Sequence, residues 1–279
     1  MLLGAPNTSR ISVWAGASFM EWTSTVKLLI CVACLSYASW SDIKTREVSD
    51  KVWVIMAAFT APITIMEVAW GRLPLLLLVL SLGLCFIIGL AAFYVGLFGG
   101  ADAEALWCLG IALPAYPKLH PWMSQPLMGL QQPIFSLSIF SNTVVLAAST
   151  AIYVLLRNLL YKARGKPLFQ GLEEETFPRK AIALFIGYKV DASKLSERSH
   201  VFIMETMRGE KRRLKLFFSS EKEDFGLSEE KKSELTGEVW VAPALPLLAY
   251  MMIGLAMALF IGDLVSFITL QILSFLQIL

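Results

Sequence analysis

Apolar residues run through this chain in long unbroken blocks, with polar residues gathered between them rather than interleaved. A bilayer core takes about 20 apolar residues in a helix, and six blocks meet or approach that length. The first runs from about Val26 to Trp40, extended backwards by Phe19 and Trp22. The second covers Val52–Trp70 with Pro62 inside it, and the third Leu73–Leu97. The fourth, from about Ala101 to Pro114, is short and implies a tilted span, a thinned bilayer or a broken start. The fifth runs from Ile134 to Leu156. The sixth covers Val239–Leu279, enough for one span and a bent or interfacial tail.

Between the fifth and sixth blocks the pattern changes. From Arg157 to Glu238 the chain is polar, with short apolar stretches at Ala181-Ile-Ala-Leu-Phe-Ile, Val201-Phe-Ile-Met and Leu214-Lys-Leu-Phe-Phe that read as short strands. The charged run Glu221–Glu234 reads as solvated loop or helix, and Lys211-Arg-Arg as a solvated face or a contact with anionic lipid. The expected fold is therefore an all-α polytopic membrane protein. It has about six transmembrane helices and a small α+β cytoplasmic module inserted before the last one. The expected divisions are residues 1–156 for spans one to five, 157–238 for the module and 239–279 for the last span and its tail.

Basic residues orient this arrangement. Lys44, Arg46 and Lys51 follow span one; Arg157, Lys162, Arg164 and Lys166 follow span five; the loop from Ala115 to Pro133 holds only Lys118. An odd number of crossings separates the two basic clusters from an external N-terminus, so both are cytoplasmic in one six-span model with both termini outside. The N-terminal block is too long, and lacks the basic start, for a cleaved signal peptide.

Composition agrees: 56% of residues are hydrophobic, 16% charged, and mean hydropathy is +0.64. The net charge of +2 mixes both signs in the polar stretch and calls for no nucleic-acid partner. Cys31-Val-Ala-Cys34 has a metal-like spacing without a second ligand pair, so Cys31, Cys34, Cys85 and Cys108 read as small apolar helix residues, with no metal and no cofactor expected. His120 and His200 are isolated.

Two acids are harder to place. Asp42 ends span one, in Trp40-Ser41-Asp42-Ile43-Lys44, and Asp102 opens span four, in Gly99-Gly100-Ala101-Asp102. Carboxylates near membrane depth are costly and are rarely left without a task. In the six-span model both lie at the cytoplasmic face, where two carboxyls brought together share one proton, the chemistry of an aspartyl protease. Gly96, Gly99 and Gly100 permit irregular backbone and close approach beside Asp102. Other readings stay open. Asp42 alone fits a helix-end acid, and Asp102 alone fits a helix cap. Together they fit a cation site in a small ion-coupled carrier, though no inverted repeat accompanies them, or the chain is an adaptor working through its module. Glu104 reads as solvent- or headgroup-facing, Glu67 as reaching headgroups near the outer face, and Asp263 as a packing or interfacial residue.

The motifs around these acids resemble a known family. Asp42-Ile-Lys-Thr-Arg-Glu-Val-Ser-Asp50 resembles the first aspartate motif of type IV prepilin peptidases, and Gly99-Gly-Ala-Asp-Ala-Glu-Ala-Leu106 their second. The latter, Val239-Trp-Val-Ala-Pro243 and Gly262-Asp263 resemble the archaeal branch, the preflagellin peptidases, which are GxGD-type membrane aspartyl proteases. The resemblance implies a membrane aspartic endopeptidase with Asp42 and Asp102 catalytic, shaped by Gly96, Gly99, Gly100, Ala101, Lys44 and Arg46. It further implies a pilin-like precursor with a class III signal sequence as substrate, cut at the cytoplasmic face of the plasma membrane. The chain departs from bacterial relatives in having no four-cysteine loop and no S-adenosylmethionine site, so peptidase activity alone is implied. Pro243-Ala-Leu-Pro246 resembles an element of presenilin and signal-peptide-peptidase enzymes, against which stand the small number of spans and the basic, juxtamembrane setting of Asp42.

Overall fold

A computed structural model describes residues 8–119, 126, 132–194, 201–208, 211–216 and 237–278. The chain forms two compact units, Met1–Phe93 with Gly100–Val145 and Leu247–Leu279, and Tyr94–Gly99 with Leu146–Pro246.

The first unit is helical: α1 (Thr8–Thr45), α2 (Lys51–Ala69), α3 (Leu75–Tyr94), α4 (Gly100–Ala112), the first half of α5 (Phe135–Ala163), α7 (Leu247–Phe260) and α8 (Leu264–Ile278). Trp22–Thr45, Lys51–Ala69, Leu75–Tyr94 and Phe135–Ala163 are each long and apolar enough to cross a membrane; α7 and α8 qualify as a pair, bent by 59° at Gly262. Among the described residues this gives four spans by length, or five with the bent pair. The fourth expected span, α4, has 13 residues, about 20 Å of helix against a hydrocarbon core of about 30 Å. Its shortness follows from glycines before it and Pro114 after it.

Large apolar side chains such as Leu75, Leu76, Ile87 and Phe59 stay exposed on the unit's outside, while its inside mixes large residues such as Phe135, Leu35 and Met56 with small ones such as Ala38, Ser81 and Ala105. That is the packing expected where lipid, not water, is the solvent. A Cβ on Gly110 would sit 2.9 Å from Cys85 Cβ, and one on Gly254 2.6 Å from Thr143 Oγ1, so α3 meets α4, and α5 meets α7, at backbone distance. Ser81 Oγ donates to the Gly110 carbonyl (2.8 Å) and shares a hydrogen bond with Ser136 Oγ (2.9 Å). Cys31, Cys85 and Cys108 are buried, and all four cysteines are free thiols.

The second unit holds the later half of α5, α6 (Phe177–Ile186) and the strands β1 (Tyr188–Asp191), β2 (Val201–Ile203), β3 (Glu205–Arg208), β4 (Lys211–Leu214) and β5 (Glu238–Pro243). β5 is central in the sheet β1-β5-β2, antiparallel to both neighbours, with Val190 opposite Val239 and Ile203 opposite Val241; β3 and β4 form a separate hairpin. Alternation along β5 feeds two cores. Val239 and Val241 pack with Val154, Tyr188 and Val190, and Trp240 and Ala242 with Leu168, Leu172, Met204 and Leu214. Gly187 links α6 to β1 where a Cβ would lie 2.0 Å from Met204 Sδ.

Several expectations change. Ala181–Ile186 belongs to a helix, not a strand: Thr176 takes extended N-cap angles and Pro178 stands in the first turn. The stretch from Val239 does not open the last span but pairs on both edges as β5, and that span begins at Leu247. Arg212 and Arg213 pair with Glu205 and Glu174 rather than facing solvent or lipid alone. Val201–Ile203 is a strand as expected. Leu214 ends β4, while Phe217, Phe218, the Glu221–Glu234 run, His120 and His200 lie outside the described residues.

Candidate active site

Asp42 sits in the last turn of α1, where the helix ends on Arg46. Arg46 takes the left-handed conformation (φ +57°) and donates its backbone N–H to the Asp42 carbonyl (3.1 Å). This is a helix C-cap normally given to glycine, and a non-glycine residue there costs about 1–2 kcal/mol. The conformation turns the Arg46 guanidinium back along α1, 3.5 Å from Asp42 Oδ1, with side-chain exposures of 13% and 14%. Ser41 Oγ donates to the Glu47 carbonyl (2.7 Å) and Thr45 Oγ1 to the Ser41 carbonyl (2.9 Å), fixing the turn. Lys44 leaves the carboxylate and lies 4.4 Å above the Trp40 ring.

Asp102 lies in the first turn of α4, half-buried, where backbone N–H groups and the helix dipole favour negative charge. Ahead of it Gly96 is left-handed (φ +77°), a conformation that requires glycine. A Cβ on Gly100 would meet nothing within 4 Å, so this end of α4 is sterically open. Ala101 is half-buried.

Contacts across the helices set the relative level of the two acids. α1 packs against α2 and α4, and α2 against α4. Cys108 Sγ on α4 contacts the Trp53 carbonyl on α2 (3.5 Å), and Glu104 feels the charge of Asp50 beside the start of α2. The N-terminal end of α4 therefore lies with the N-terminal end of α2 and the C-terminal end of α1. Cys34 on α1 and Cys108 on α4 are within electrostatic reach of each other. Asp42 follows Cys34 by eight residues and Asp102 precedes Cys108 by six. At 1.5 Å per residue these are about 12 and 9 Å towards the same end, so both carboxyls lie at that end of the packed helices.

Two further residues stand at this end: Tyr250, which carried no sequence signal, and Glu104, expected to face solvent or headgroups. Tyr250, in the first turn of α7, is within electrostatic reach of Arg46. Glu104 is within electrostatic reach of Asp50, and its Oε2 is buried without a hydrogen-bond partner among the described residues. The remaining acids belong elsewhere. Glu67, expected among headgroups, is buried and paired to Lys27 Nζ at 2.6 Å. Asp263 is wholly buried at the 59° bend; it accepts the Ser266 N–H (2.6 Å) and the Ser141 hydroxyl, while Asn142 bridges the Gly262 carbonyl (3.0 Å) and the Leu264 N–H (3.0 Å). It is the cap of α8. Pro243-Ala-Leu-Pro246 runs from the end of β5 to the turn before α7.

Comparison with known proteins places the two acids in one matched segment. The model of the type IV leader peptidase family matches residues 29–158, and that of the archaeal peptidase A24 C-terminus, type II, matches residues 179–264. The chain is similar to the preflagellin peptidase of Methanocaldococcus jannaschii, 26% identical over 85% of this chain and 94% of the relative. It is 28% identical to the preflagellin peptidase of Methanococcus voltae, over 82% of this chain and 92% of the relative. A third preflagellin peptidase, from Methanococcus maripaludis, is 26% identical over 85% and 96%.

Proposed function

This chain belongs to the type IV leader peptidase family, in its archaeal preflagellin peptidase branch, and we propose that it removes the short basic leader of preflagellin-like precursors by aspartic proteolysis at Asp42 and Asp102. The observation that carries the assignment of residues is their placement towards one end of the helical unit, on directly packed helices. The substrate is a pilin-like precursor with a class III signal sequence, whose apolar helix stays in the bilayer beside the enzyme.

We assign six crossings, with α4 as a short one. It starts near Asp50, and the segment that follows it, Leu113–Lys118, lines the same cavity as Lys27, near the start of the Trp22–Thr45 span, and Glu67, near the end of α2. We read the basic clusters as placing the Asp42 and Asp102 end on the cytoplasmic side of the plasma membrane, and the polar module there too, the module taking in β5 and the last crossing beginning at Leu247.

Asp42, already the acceptor in an ion pair with Arg46, is assigned the base, and Asp102 the protonated acid. Asp42 takes a proton from water as its oxygen attacks the scissile carbonyl, and Asp102 gives its proton to the carbonyl oxygen. The resulting gem-diol collapses: Asp42 protonates the leaving nitrogen, Asp102 recovers a proton from the diol, and both acids return to their starting states. The open N-terminal end of α4 leaves room for an extended leader.

The test is cleavage of a preflagellin by the purified full-length chain. D42N and D102N should each insert and fold yet abolish processing; near wild-type cleavage by either variant would sink the dyad.

A further inference from the structure

In the sheet unit, α6 wears its apolar residues on the outside. The residues that face the unit are bonded to it. Ala183 is wholly buried in the core of Leu172, Met204 and Trp240. Arg179 pairs with Glu175 (3.0 Å), and Lys180 donates to the Glu173 carbonyl (3.0 Å) and lies over the Phe169 ring. Successive residues of an α-helix turn by about 100°, so Phe177, Pro178, Ala181, Ile182 and Phe185 share the opposite face, and all five are apolar. Phe177 is 82% exposed, Ile182 46% and Phe185 45%. Both cations of the helix are thus drawn towards the unit's own acids and carbonyls while its aromatic rings stay outside. A helix that faces water carries the opposite pattern.

The place of α6 within the unit names the solvent for that face. α5 is long and apolar enough to cross a membrane. Its exposed stripe of Ile152, Tyr153, Leu156, Leu159 and Leu160 continues almost to its end at Ala163. Lys162 and Arg164, both exposed, follow there, as basic residues do at the headgroups. Asn158 lies within the same stretch and donates to the Leu184 carbonyl (2.9 Å) and the Gly187 carbonyl (2.7 Å). The last turn of α6 is therefore bonded beside the last apolar turns of α5, where that helix passes from its lipid-facing stripe to its basic end. An apolar face placed there is continuous with a surface already fitted to lipid.

We propose that α6 is an interfacial anchor: Phe177, Ile182 and Phe185 enter the bilayer at the boundary between headgroups and acyl chains and hold the sheet unit against the membrane. A helix with one apolar face lies in the plane of the interface, that face buried about 5–10 Å deep. Lys162 and Arg164 at the end of α5 suit anionic headgroups beside it. The unit is then fixed to the membrane by α6 as well as by its chain connections to α5 and α7. The proposal rests on α5 as a crossing and is independent of the catalytic reading.

The experiment uses the full-length chain in vesicles of equal parts phosphatidylcholine and phosphatidylglycerol, doped with a lipid that carries a diazirine on its acyl chain. After irradiation, lipid label is counted by mass spectrometry on the α5 stretch Ile152–Leu160, on α6 and on the hairpin of β3 and β4. α6 is expected to take at least about five-fold more label than the hairpin, approaching α5. The variant I182D/F185D, changed only on the outer face, should fall to the hairpin's level while hydrogen exchange at the β5 amides stays as in wild type. Label on α5 with α6 no better than the hairpin overturns the proposal, as does a folded variant labelled like wild type. Label that saturating preflagellin removes would give the face to the precursor's apolar helix. Cross-links from α6 to α6 of a second chain, without lipid label, would give it to a second copy. Either result also overturns the anchor. An unlabelled α5 removes the crossing and the proposal with it. None of these readouts uses cleavage, so a chain that takes the label and does not cut counts against the catalytic assignment alone.

Discussion

The helical unit carries ionisable side chains at both ends, and it houses them differently. At the end with the cavity lined by Lys27 and Glu67, partners come from different segments. Lys27 of α1 meets Glu67 of α2 at 2.6 Å, and Asp263 joins the bend between α7 and α8 to Ser141 of α5. These contacts tie one helix to another inside a low-dielectric interior. At the other end the ion pair at Asp42 closes on Arg46, four residues along the same chain, and Glu104 is set against the like charge of Asp50. Like charges placed together do not strengthen a fold; such arrangements gather where chemistry is done. Acids at the first end hold architecture, and on the proposed reading acids at the second are kept for a reaction.

The largest effect that can break this division is a swap of outcomes between Asp102 and Asp263, which both follow glycines at helix starts. D102N should lower kcat/KM for preflagellin by at least about 10³-fold with little change in unfolding temperature. D263A should leave kcat within a small factor of wild type and cost about 2 kcal/mol of stability, because a cap is lost and buried donors are stranded. Cleavage kinetics and thermal unfolding of both variants decide it; a D263A enzyme that folds and does not cleave would erase the contrast.

Next comes the ion pair itself. Lys27→Ala leaves Glu67 charged and buried, a loss of about 3–5 kcal/mol, whereas the double replacement K27M/E67L should recover most of it, since apolar pairs substitute well for buried ionic ones. Stability of the three proteins in the same detergent tests the claim that this pair is structural. Equal losses in single and double variants would show instead that both charges are needed singly.

How much of this was readable beforehand depends on the distance between partners. Apolar runs located α2, α3 and the start of α5 to within a few residues, because lipid demands length and hydropathy and little else. α5 runs on to Ala163 instead of stopping near Leu156, since its last turns are held by the sheet unit: Val154 packs beside β5, and Asn158 Nδ2 donates to the Leu184 carbonyl (2.9 Å) and the Gly187 carbonyl (2.7 Å). Those contacts lie 26 and 29 residues away and leave no local mark. The six apolar residues from Ala181 fit strand or helix equally, and the deciding signals, Thr176 and Pro178, stand ahead of the run. In the candidate site Asp42 and Asp102 were legible from their cost and their motifs. Tyr250 was not, because its place depends on how α7 packs.

A smaller effect belongs to Tyr250, the residue at the reactive end found from packing alone. Y250F keeps the ring and removes only the hydroxyl near Arg46. If that hydroxyl helps to hold the guanidinium beside Asp42, kcat/KM should fall by about 2- to 10-fold with the unfolding temperature unchanged. A fall in stability with no change in kinetics would move Tyr250 to the structural side of the division.

The smallest effect tests the rule where an acid is fully bonded and still costly. Glu205 in the sheet unit accepts the Trp240 N–H (2.8 Å) and pairs with Arg212 at 3.5 Å, its side chain 6% exposed. Burial is the leading influence and raises its carboxyl above the usual 4.5, against the opposing pulls of Trp240, Arg212 and Lys189. A raised value in the folded state means that the folded chain holds the proton more tightly than the unfolded one. The contribution of Glu205 to stability is therefore complete below pH 4.5 and drains away as pH climbs through the raised value. Gln at this position keeps the acceptor for Trp240 without the charge, and the lost contact with half-exposed Arg212 costs little. E205Q should accordingly match wild type near pH 4 and gain on it towards pH 7, by about 1 kcal/mol or less. Hydrogen exchange at the β5 amides across that range reads the difference; a wild-type advantage that grows with pH would mean that the ionised, fully bonded Glu205 strengthens the fold, as the buried Lys27–Glu67 pair is taken to do.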